Sequence, residues 1–225
     1  MNPSLAGQVA FISGSGHGIG RATALEMARL GATVGVNDLK SEFVDAVVAE
    51  ITAAGGKAIG ITQNVATREG MREAVLGLVR QTGRLDVMVN NAAWVRYQPL
   101  AEITPEVMDR MVDVGFKSVV WGIQAAAEAM DPQRGGSIIN VASIAGFKSP
   151  MRSVVYSGLK AGVLGITRAA AADLGARGIR VNAVAPGAVP TEGTAKHRNA
   201  ELDAKRIART PLGRLGTVQD IADAI

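Results

Sequence analysis

The stretch QVAFISGSGHGIGRATALEMARLG, from Gln8 to Gly31, decides the fold of this sequence. Gln8 to Ser13 is a short apolar run without polar alternation, which is typical of a strand buried on both faces of a parallel sheet. Helical spacing from Arg21 to Leu30 follows, and Gly31 ends it. A strand, a glycine-rich turn and a helix in succession predict a cradle for a phosphate, because glycine lets the backbone come close and a helix N-terminus favours negative charge.

The glycines of this turn have a particular spacing. Gly14, Gly18 and Gly20 form a GxxxGxG pattern, and Ile19 and Arg21 stand where the pattern GxGxxG would require its third glycine. A glycine cluster alone also fits an ordinary tight turn. The rest of the chain must therefore decide between these two interpretations.

A second apolar run, Ala32 to Val36, predicts a strand that ends at Asn37 and Asp38. An acidic side chain about 20 residues beyond a glycine turn can accept hydrogen bonds from the adenosine ribose of NAD, and it repels the extra phosphate of NADP. Asp38 therefore favours NAD as the cofactor, with NADP less favoured. The alternative is that Asp38 caps the helix predicted from Glu42 to Ala54.

Apolar runs and helical patterns alternate along the rest of the chain. The further predicted strands are Lys57 to Thr62, Leu85 to Val89, Gly136 to Val141 and Ile179 to Val184, and the further helices are Thr67 to Gln81, Pro105 to Met130 and Val155 to Leu174. Repeated β-α units with short joints predict an α/β fold, a Rossmann-like doubly wound parallel sheet of six strands in a three-layer α/β/α arrangement. Without a recognisable linker, residues 1–225 are expected to form a single dinucleotide-binding catalytic domain. Ligands of such sheets bind beyond the carboxyl ends of the strands, where Asn64, Asn90, Ser143 and Pro186 fall.

Tyr156 and Lys160 are a candidate proton-transfer pair. Their four-residue spacing puts both side chains on one face of the predicted helix. A free tyrosine has a pKa of about 10, and a cation roughly 5 Å away is expected to lower it by about two units, toward the range useful for acid-base chemistry. Ser143 offers a hydroxyl that can hold the substrate oxygen. A YxxxK pattern by itself also arises by chance.

The composition excludes several kinds of site. The 225 residues are 48% hydrophobic, enough for a substantial core, and they include no cysteine, which excludes disulfides, thiolate catalysis and thiolate metal sites. The two histidines, His17 and His197, are isolated and predict no metal centre. The net charge is +4, but lysine and arginine are scattered, so no nucleic-acid partner is predicted. Because we find neither a secretory leader pattern nor a membrane-spanning apolar run, we expect no membrane partner and a cytoplasmic location.

With these motifs in order, the sequence resembles the short-chain dehydrogenase/reductase family over nearly its whole length, and in particular its 3-oxoacyl-carrier-protein reductase-like members. The matching motifs are Gly14-x-x-x-Gly18-x-Gly20, Asn90-Asn91-Ala92-Ala93, Ser143, Tyr156-x-x-x-Lys160, and Pro186-Gly187 followed by Thr191. The resemblance implies an enzyme that transfers a hydride between a nicotinamide cofactor and a small-molecule secondary alcohol or its ketone.

The resemblance also implies roles for individual residues. Tyr156 is the expected acid-base group, Lys160 is expected to lower its pKa and bind the nicotinamide ribose, and Ser143 is expected to hold the substrate oxygen. Asp38 is expected to bind the adenosine ribose. The other expected cofactor contacts are Gly14, Ser15, Gly18, Ile19 and Gly20 at the pyrophosphate, Asn64 and Val65 at the adenine, Asn91 along the cofactor, Pro186 and Gly187 in the motif after the sixth strand, and Val189 and Thr191 at the nicotinamide carboxamide.

Several positions depart from the family pattern. Gly115 stands where the family has an asparagine that completes a proton relay, and a glycine inside a helix costs about 1 kcal/mol. The relay uses the main-chain carbonyl, which glycine keeps, so we expect weakened rather than abolished catalysis. Asn64 replaces an aspartate, Ala93 replaces the last glycine of NNAG, and His17 is a poor substitute for the basic residue of NADP-dependent members. The family continues after residues 220–225 into a seventh strand that this sequence does not include, which would leave the sixth strand uncovered.

Loops over the strand ends are expected to choose the substrate, here residues 94–98, 145–154 and 188–212. Residues 188–212 are expected to form a substrate lid. The expected basic residues are Lys196, His197, Arg198, Lys205, Arg206 and Arg209 on this lid and Arg96 and Arg152 at the mouth, and the expected apolar wall is Trp94, Tyr97, Met151 and Val189. An anionic substrate is one interpretation of these charges, and solubility of an exposed helix is the other.

The predicted Tyr156 helix has a face of small residues, namely Gly158, Gly162, Gly165 and Ala169. Several glycines in one helix predict a closely approaching neighbour. The resemblance implies a second subunit, hence a homodimer or homotetramer, and packing on the sheet is the alternative.

Two other function classes stay open. A nucleotide-binding relative with weak or no turnover is suggested by Gly115 and by the short C-terminus. A methyltransferase can also have a glycine-rich first turn and an acidic second-strand end, but it has no need of Ser143, Tyr156 and Lys160.

Overall fold

A computed structural model describes residues 4–193 and 199–225. In these ranges six strands form one sheet in the order β3-β2-β1-β4-β5-β6, and all neighbours are parallel. The strands are β1 Val9–Ile12, β2 Thr33–Asp38, β3 Lys57–Thr62, β4 Val87–Asn90, β5 Gly136–Val141 and β6 Ile179–Val184. This is the doubly wound order, so the fold class predicted from the sequence is confirmed.

Helices cover both faces of the sheet. They are α1 Gly18–Arg29, α2 Ser41–Ala53, α3 Arg68–Thr82, α4 Pro105–Val112, α5 Ser118–Ala129, α6 Val154–Leu174, α7 Ala200–Ala208 and α8 Val218–Ala222. One apolar cluster joins α1 and α2 to the sheet, and a second joins α3, α5 and α6 to the opposite face. Within β1, Phe11 belongs to one cluster and Ile12 to the other, which is why the strands are apolar at every position.

The helical region predicted as a single helix, from Pro105 to Met130, is interrupted. A π-helical turn, Asp113–Lys117, separates α4 from α5, and Gly115 lies buried within it. A Cβ at Gly115 would come within 3.1 Å of Leu159 Cδ1, so α6 packs closely on this turn. The expectation of a glycine inside a regular α-helix is therefore wrong, because residue 115 lies in a widened turn of the kind that often marks functional sites.

Two properties of the described residues bear on partners. None of their helices combines the length and the apolar character that crossing a bilayer requires. None of their histidine, aspartate and glutamate side chains form a group of three or more that could hold a metal ion.

Candidate active site

The turn between β1 and α1 has a conformation that needs glycine. Gly14 and Gly18 have φ values of 61° and 57°, in the left-handed region. A Cβ at Gly20 would lie 2.3 Å from the Gly14 carbonyl oxygen, so this glycine allows α1 to pack on the turn. His17 precedes α1 without a side-chain cap, which leaves the first N–H groups of the helix available to an anion.

Ser13 and Asn91 fix this turn to the end of β4. The Ser13 hydroxyl accepts hydrogen bonds from the backbone N–H of Asn91 at 3.0 Å and of Ala92 at 3.1 Å. The Asn91 side-chain amide donates to the carbonyls of Ser13 at 3.0 Å and Gly14 at 2.8 Å. These hydrogen bonds fix the glycine turn to the segment after β4.

Ser15 and Gly20 lie beneath the turn and do not line the cleft, unlike the other glycine-turn residues expected there. The Ser15 hydroxyl is buried, donates to the Ile12 carbonyl at 2.9 Å and accepts from the Asn37 N–H at 2.9 Å. In this structure the two residues support the loop from below, and their contact with a pyrophosphate stays a prediction.

Asp38 stands at the end of β2 and faces the glycine turn. Its Oδ2 accepts from the Gly16 N–H at 3.2 Å, and its Oδ1 accepts from the Leu39 N–H at 2.8 Å. The residue that precedes α2 is Lys40, so the alternative of Asp38 as the helix cap is wrong. Asp38 lines the cleft and its carboxylate is only partly satisfied by two backbone donors.

Asn37 is a site residue that sequence reasoning missed. Its side chain is buried and donates to the carbonyls of Ile61 at 3.0 Å and Gln63 at 3.1 Å, while its oxygen faces the Gly14 N–H at 3.5 Å. It thereby joins the ends of β1, β2 and β3. A buried asparagine directly after an apolar run is the signal that could have identified it.

Ser143, Tyr156 and Lys160 line one cleft together. The Ser143 hydroxyl accepts from the Ala145 N–H at 3.1 Å at the start of a short 3-10 turn. A Cβ at Gly146 would meet the Lys160 carbonyl oxygen at 3.0 Å, so glycine lets this turn pack directly on α6. The turn and the helix therefore hold the three side chains in a fixed relation.

The Lys160 side chain is fully enclosed. Its Nζ donates to the Val141 carbonyl at 2.6 Å and lies 5.9 Å from the centre of the Tyr156 ring. The hydrogen bond ties α6 to the end of β5. An ammonium next to a buried phenol is the arrangement that the four-residue spacing predicted.

The protonation of the pair differs from the prediction. Burial raises the pKa of Tyr156 above its ordinary value, and the Ser143 hydroxyl acts in the opposite direction. Burial lowers the pKa of Lys160 to about 8. The expected fall in the pKa of Tyr156 is therefore wrong for this structure, because desolvation of the phenol is the largest effect on its pKa and exceeds the opposing effect of the Ser143 hydroxyl.

The substrate end of the cleft is aromatic. The Tyr97 and Tyr156 rings meet edge to face with centres 5.6 Å apart, and the Arg110 guanidinium lies 4.4 Å from the centre of the Trp94 ring. Trp94, Tyr97 and Val189 line the cleft as expected, but Met151 is 90% exposed and belongs to an outward-facing turn.

The expected cations at the mouth are also different. Arg96 and Arg152 do not line the cleft. Arg206, one of the basic residues expected on the lid, does line it, and so does Arg110, which was not expected. Arg110 lies on α4, distant in sequence from the loops that were expected to choose the substrate, so only the tertiary structure identifies it.

Residues 188–193 and α7 form one wall of the cleft. The Thr191 methyl lies 3.4 Å from where a Cβ of Gly18 would stand, which places this segment against the glycine turn. Asp203 and Arg206 of α7 line the cleft and form an ion pair at 3.3 Å. The predicted lid residues Lys196, His197 and Arg198 lie outside the described residues.

A continuous cleft of about 590 Å³ connects these parts. The residues expected to bind a cofactor that line it are Gly14, Gly18, Ile19, Asp38, Asn64, Val65, Asn91, Tyr156, Lys160, Pro186, Gly187, Val189 and Thr191. The donor set fits a dinucleotide, because glycines with left-handed backbone and an uncapped helix start occupy one part, and beside them lies the Asp38 carboxylate, which is able to accept hydrogen bonds from ribose hydroxyls.

Comparison with known proteins agrees with a dinucleotide-binding site. A family model described as short chain dehydrogenase matches residues 8–202. A 3-oxoacyl-[acyl-carrier-protein] reductase from Thermotoga maritima is 38% identical over 221 residues, which cover 98% of this chain and 89% of the relative.

Two solved structures have the same fold. A 7α-hydroxysteroid dehydrogenase in complex with NADH and 7-oxo glycochenodeoxycholic acid superimposes with a TM-score of 0.95 at 31% identity, covering 99% of this chain and 87% of that one. A short chain dehydrogenase from Burkholderia cenocepacia in complex with NADP superimposes with a TM-score of 0.89 at 34% identity, covering 98% and 89%. The chain belongs to the short-chain dehydrogenase family of NAD(P)-dependent oxidoreductases.

Proposed function

We propose that this protein interconverts a secondary alcohol and a ketone by hydride transfer, with Tyr156 as the acid-base group. The observation that carries the proposal is that Ser143, Tyr156 and Lys160 line the same cleft as the glycine turn and Asp38. Relatives named for reduction of a 3-oxoacyl group, or solved with a 7-oxo steroid, support a carbonyl substrate.

The residues that line the cleft would hold the cofactor. The backbone of Gly14, Gly18 and Ile19 would bind the pyrophosphate at the start of α1, and Asp38 would bind the adenosine ribose. Asn64 and Val65 would contact the adenine, Asn91 would contact the cofactor along its length, and Pro186, Gly187, Val189 and Thr191 would contact the nicotinamide. Bound nicotinamide supplies or accepts the hydride.

Tyr156 moves the proton that accompanies the hydride. Burial keeps the phenol protonated at neutral pH, so it can donate a proton to the carbonyl oxygen during reduction. Ser143 holds that oxygen beside the phenol, and Lys160 supplies positive charge as the phenolate forms. In the direction of alcohol oxidation the phenol must first lose its proton, which is favoured at alkaline pH.

Asp38 favours NAD over NADP. A carboxylate at the end of β2 attracts ribose hydroxyls and repels a phosphate at the same place. His17 Nδ1 lies 3.9 Å from the Asp38 carboxylate, and a histidine is a poor substitute for the arginine or lysine that would hold the extra phosphate of NADP.

We further propose that the protein acts on a small molecule as a single catalytic domain, in the cytoplasm, and as a homodimer or homotetramer. A Cβ at Gly158 would meet nothing within 4 Å, so this part of the small-residue face of α6 has room for a neighbour. Gly162 is explained within the chain, because a Cβ there would lie 2.6 Å from the Phe116 ring. Light scattering on the purified protein would measure the assembly.

The decisive experiment compares the native protein with Tyr156→Phe. We expect NADH formation with at least one of a panel of hydroxy acids, sugar alcohols, steroids and hydroxyacyl thioesters, and a loss of about 10²–10⁴-fold in kcat without the phenol hydroxyl. Parallel assays with NADPH and ketones test the cofactor preference and the reverse direction. NAD binding, measured by fluorescence, should stay within about threefold of the native value, because the ring is kept.

Two results would contradict this proposal. Cofactor binding without Tyr156-dependent turnover favours a nucleotide-binding protein with little activity. Binding of S-adenosylmethionine but not of NAD or NADP favours a methyltransferase.

A further inference from the structure

Tyr97 and Tyr156 are the two tyrosines of the sequence, and the fold brings them together. Their ring centres are 5.6 Å apart and the ring planes are inclined at 68°. Edge-to-face aromatic pairs are favourable beyond the area that they bury. Both rings line the cleft, so the contact lies at the proposed reaction centre and not in the apolar core.

The loop that carries Tyr97 is fixed through its backbone. The N–H of the next residue, Gln98, donates to the Arg152 carbonyl at 3.0 Å, and the Gln98 side chain donates to the Glu102 carbonyl. Arg152 has a φ of 60° and is the one non-glycine among the described residues with a positive φ. Such strain is maintained only where the surrounding structure enforces it, and it is concentrated at functional sites.

The Tyr97 phenol stays protonated, and therefore uncharged, at neutral pH. Burial raises its pKa to about 12, the nearby Tyr156 adds to this effect, and Arg206 of α7 acts in the opposite direction. Among the residues that the structure describes, Lys160 on α6 lies 5.9 Å from the centre of the Tyr156 ring and Arg206 on α7 acts on the pKa of Tyr97. Tyr97 therefore presents an uncharged ring to Tyr156 and covers the phenol from the side of its own loop.

We propose that Tyr97 is a positioning residue whose ring excludes water from Tyr156, fixes the orientation of that phenol and thereby sets the pH at which Tyr156 exchanges its proton. Its role in turnover rests on the proposed oxidoreductase function. The ring, and not the hydroxyl, is the acting part, because the contact between the two residues is aromatic.

The first test is a spectrophotometric titration of tyrosinate, which needs no activity. With two tyrosines in the sequence, Tyr97→Phe leaves only the phenol of Tyr156 and keeps an aromatic ring over it. Tyr97→Ala also leaves only that phenol, but exposes it to water. We expect the midpoint of Tyr156 to be lower in Tyr97→Ala than in Tyr97→Phe by about one pH unit, because hydration favours the phenolate.

The second test is the pH dependence of kcat/KM for alcohol oxidation. Tyr97→Phe should keep the native profile, and Tyr97→Ala should shift its alkaline rise to lower pH by a similar amount, with a fall in kcat from the less ordered phenol. Circular dichroism and NAD binding identify variants that remain folded. Tyr97→Gln is the substitute if Tyr97→Ala does not fold.

Each outcome decides a separate point. Equal midpoints in Tyr97→Phe and Tyr97→Ala would overturn the proposal, and so would a Tyr97→Phe profile as shifted as that of Tyr97→Ala. If the native protein lacks Tyr156-dependent turnover but the titration shows the shift, the proposed function fails while the role of the Tyr97 ring stands.

Discussion

Asp38 is a carboxylate held in place by two backbone donors, and its charge is separable from its hydrogen bonds. Asp38→Asn keeps an oxygen that can accept from the Gly16 N–H, but it removes the negative charge that repels the extra phosphate of NADP. We expect the ratio of the Kd for NADP to the Kd for NAD to fall by about tenfold or more, because two unit charges about 4 Å apart repel by about 1 kcal/mol in water and by about 4 kcal/mol near a protein surface. Fluorescence titration with both nucleotides measures this ratio.

The control for this variant is Asp45→Asn, an exposed carboxylate on α2. It should leave the ratio unchanged. If Asp38→Asn binds the two nucleotides in the native ratio, Asp38 does not determine the preference for NAD.

At single positions the sequence predicted which side chains lie close together but not the direction in which their pKa values change. The spacing of Tyr156 and Lys160 correctly placed both on one helix. The sign of the change in the pKa of Tyr156 depends on how many distant atoms exclude water from it, among them the ring of Tyr97, and no local pattern contains that information. Arg110 was missed for the same reason.

The π-helical turn between α4 and α5 makes a specific prediction about packing. Gly115→Ala would ordinarily stabilise a helix by about 1 kcal/mol, but its Cβ would lie 3.1 Å from Leu159 Cδ1. We expect the stabilising effect to be larger in a Leu159→Val background, which removes that atom, by about 0.5 kcal/mol or more. Urea unfolding of the four proteins measures the difference.

Gly165→Ala on α6 is the matched control, since its Cβ would meet only the Arg168 guanidinium at 4.0 Å. Its effect should be the same in both backgrounds. Equal effects of Gly115→Ala with and without Leu159→Val would show that Leu159 does not restrict this turn.

The strands were predictable because a strand covered on both faces must be apolar at nearly every position. β3, β5 and β6 have the predicted bounds, and β2 ends at Asp38 as predicted but begins one residue later, at Thr33. The helical region from Pro105 to Met130 was predicted without its π-helical turn, because helical spacing does not distinguish such a turn from a regular α-helix. In the structure the turn packs on α6, where Leu159 approaches Gly115.

The whole molecule should show a pH-dependent stability that comes from Lys160. Burial lowers the pKa of this lysine to about 8 in the folded protein, and the unfolded value is about 10.4. Between these values the unfolded chain binds more protons, so the free energy of unfolding rises with pH. The gain from pH 8 to about pH 10 should be about 2 kcal/mol. Above about pH 10 the raised pKa of Tyr156 acts in the opposite direction, because the unfolded phenol ionises first.

Urea unfolding of the native protein and of Lys160→Met at several pH values measures how much Lys160 contributes to the pH dependence of the free energy of unfolding. The variant should lack the rise, whereas Lys57→Met, at an exposed position of β3, should keep it. The same slope in all three proteins would mean that Lys160 is not the group responsible.

The hydrogen bond from Lys160 to the Val141 carbonyl gives this lysine a structural role in addition to its charge. A substitution that removes this donor breaks the link between α6 and the end of β5, which leads to Ser143, so the loss of rate will combine a chemical defect with a change in the position of α6. A mutational scan that attributed the entire loss to proton transfer would overstate the chemistry of this amine. A neutral side chain that donates the same hydrogen bond to the Val141 carbonyl would separate the chemical contribution from the structural one.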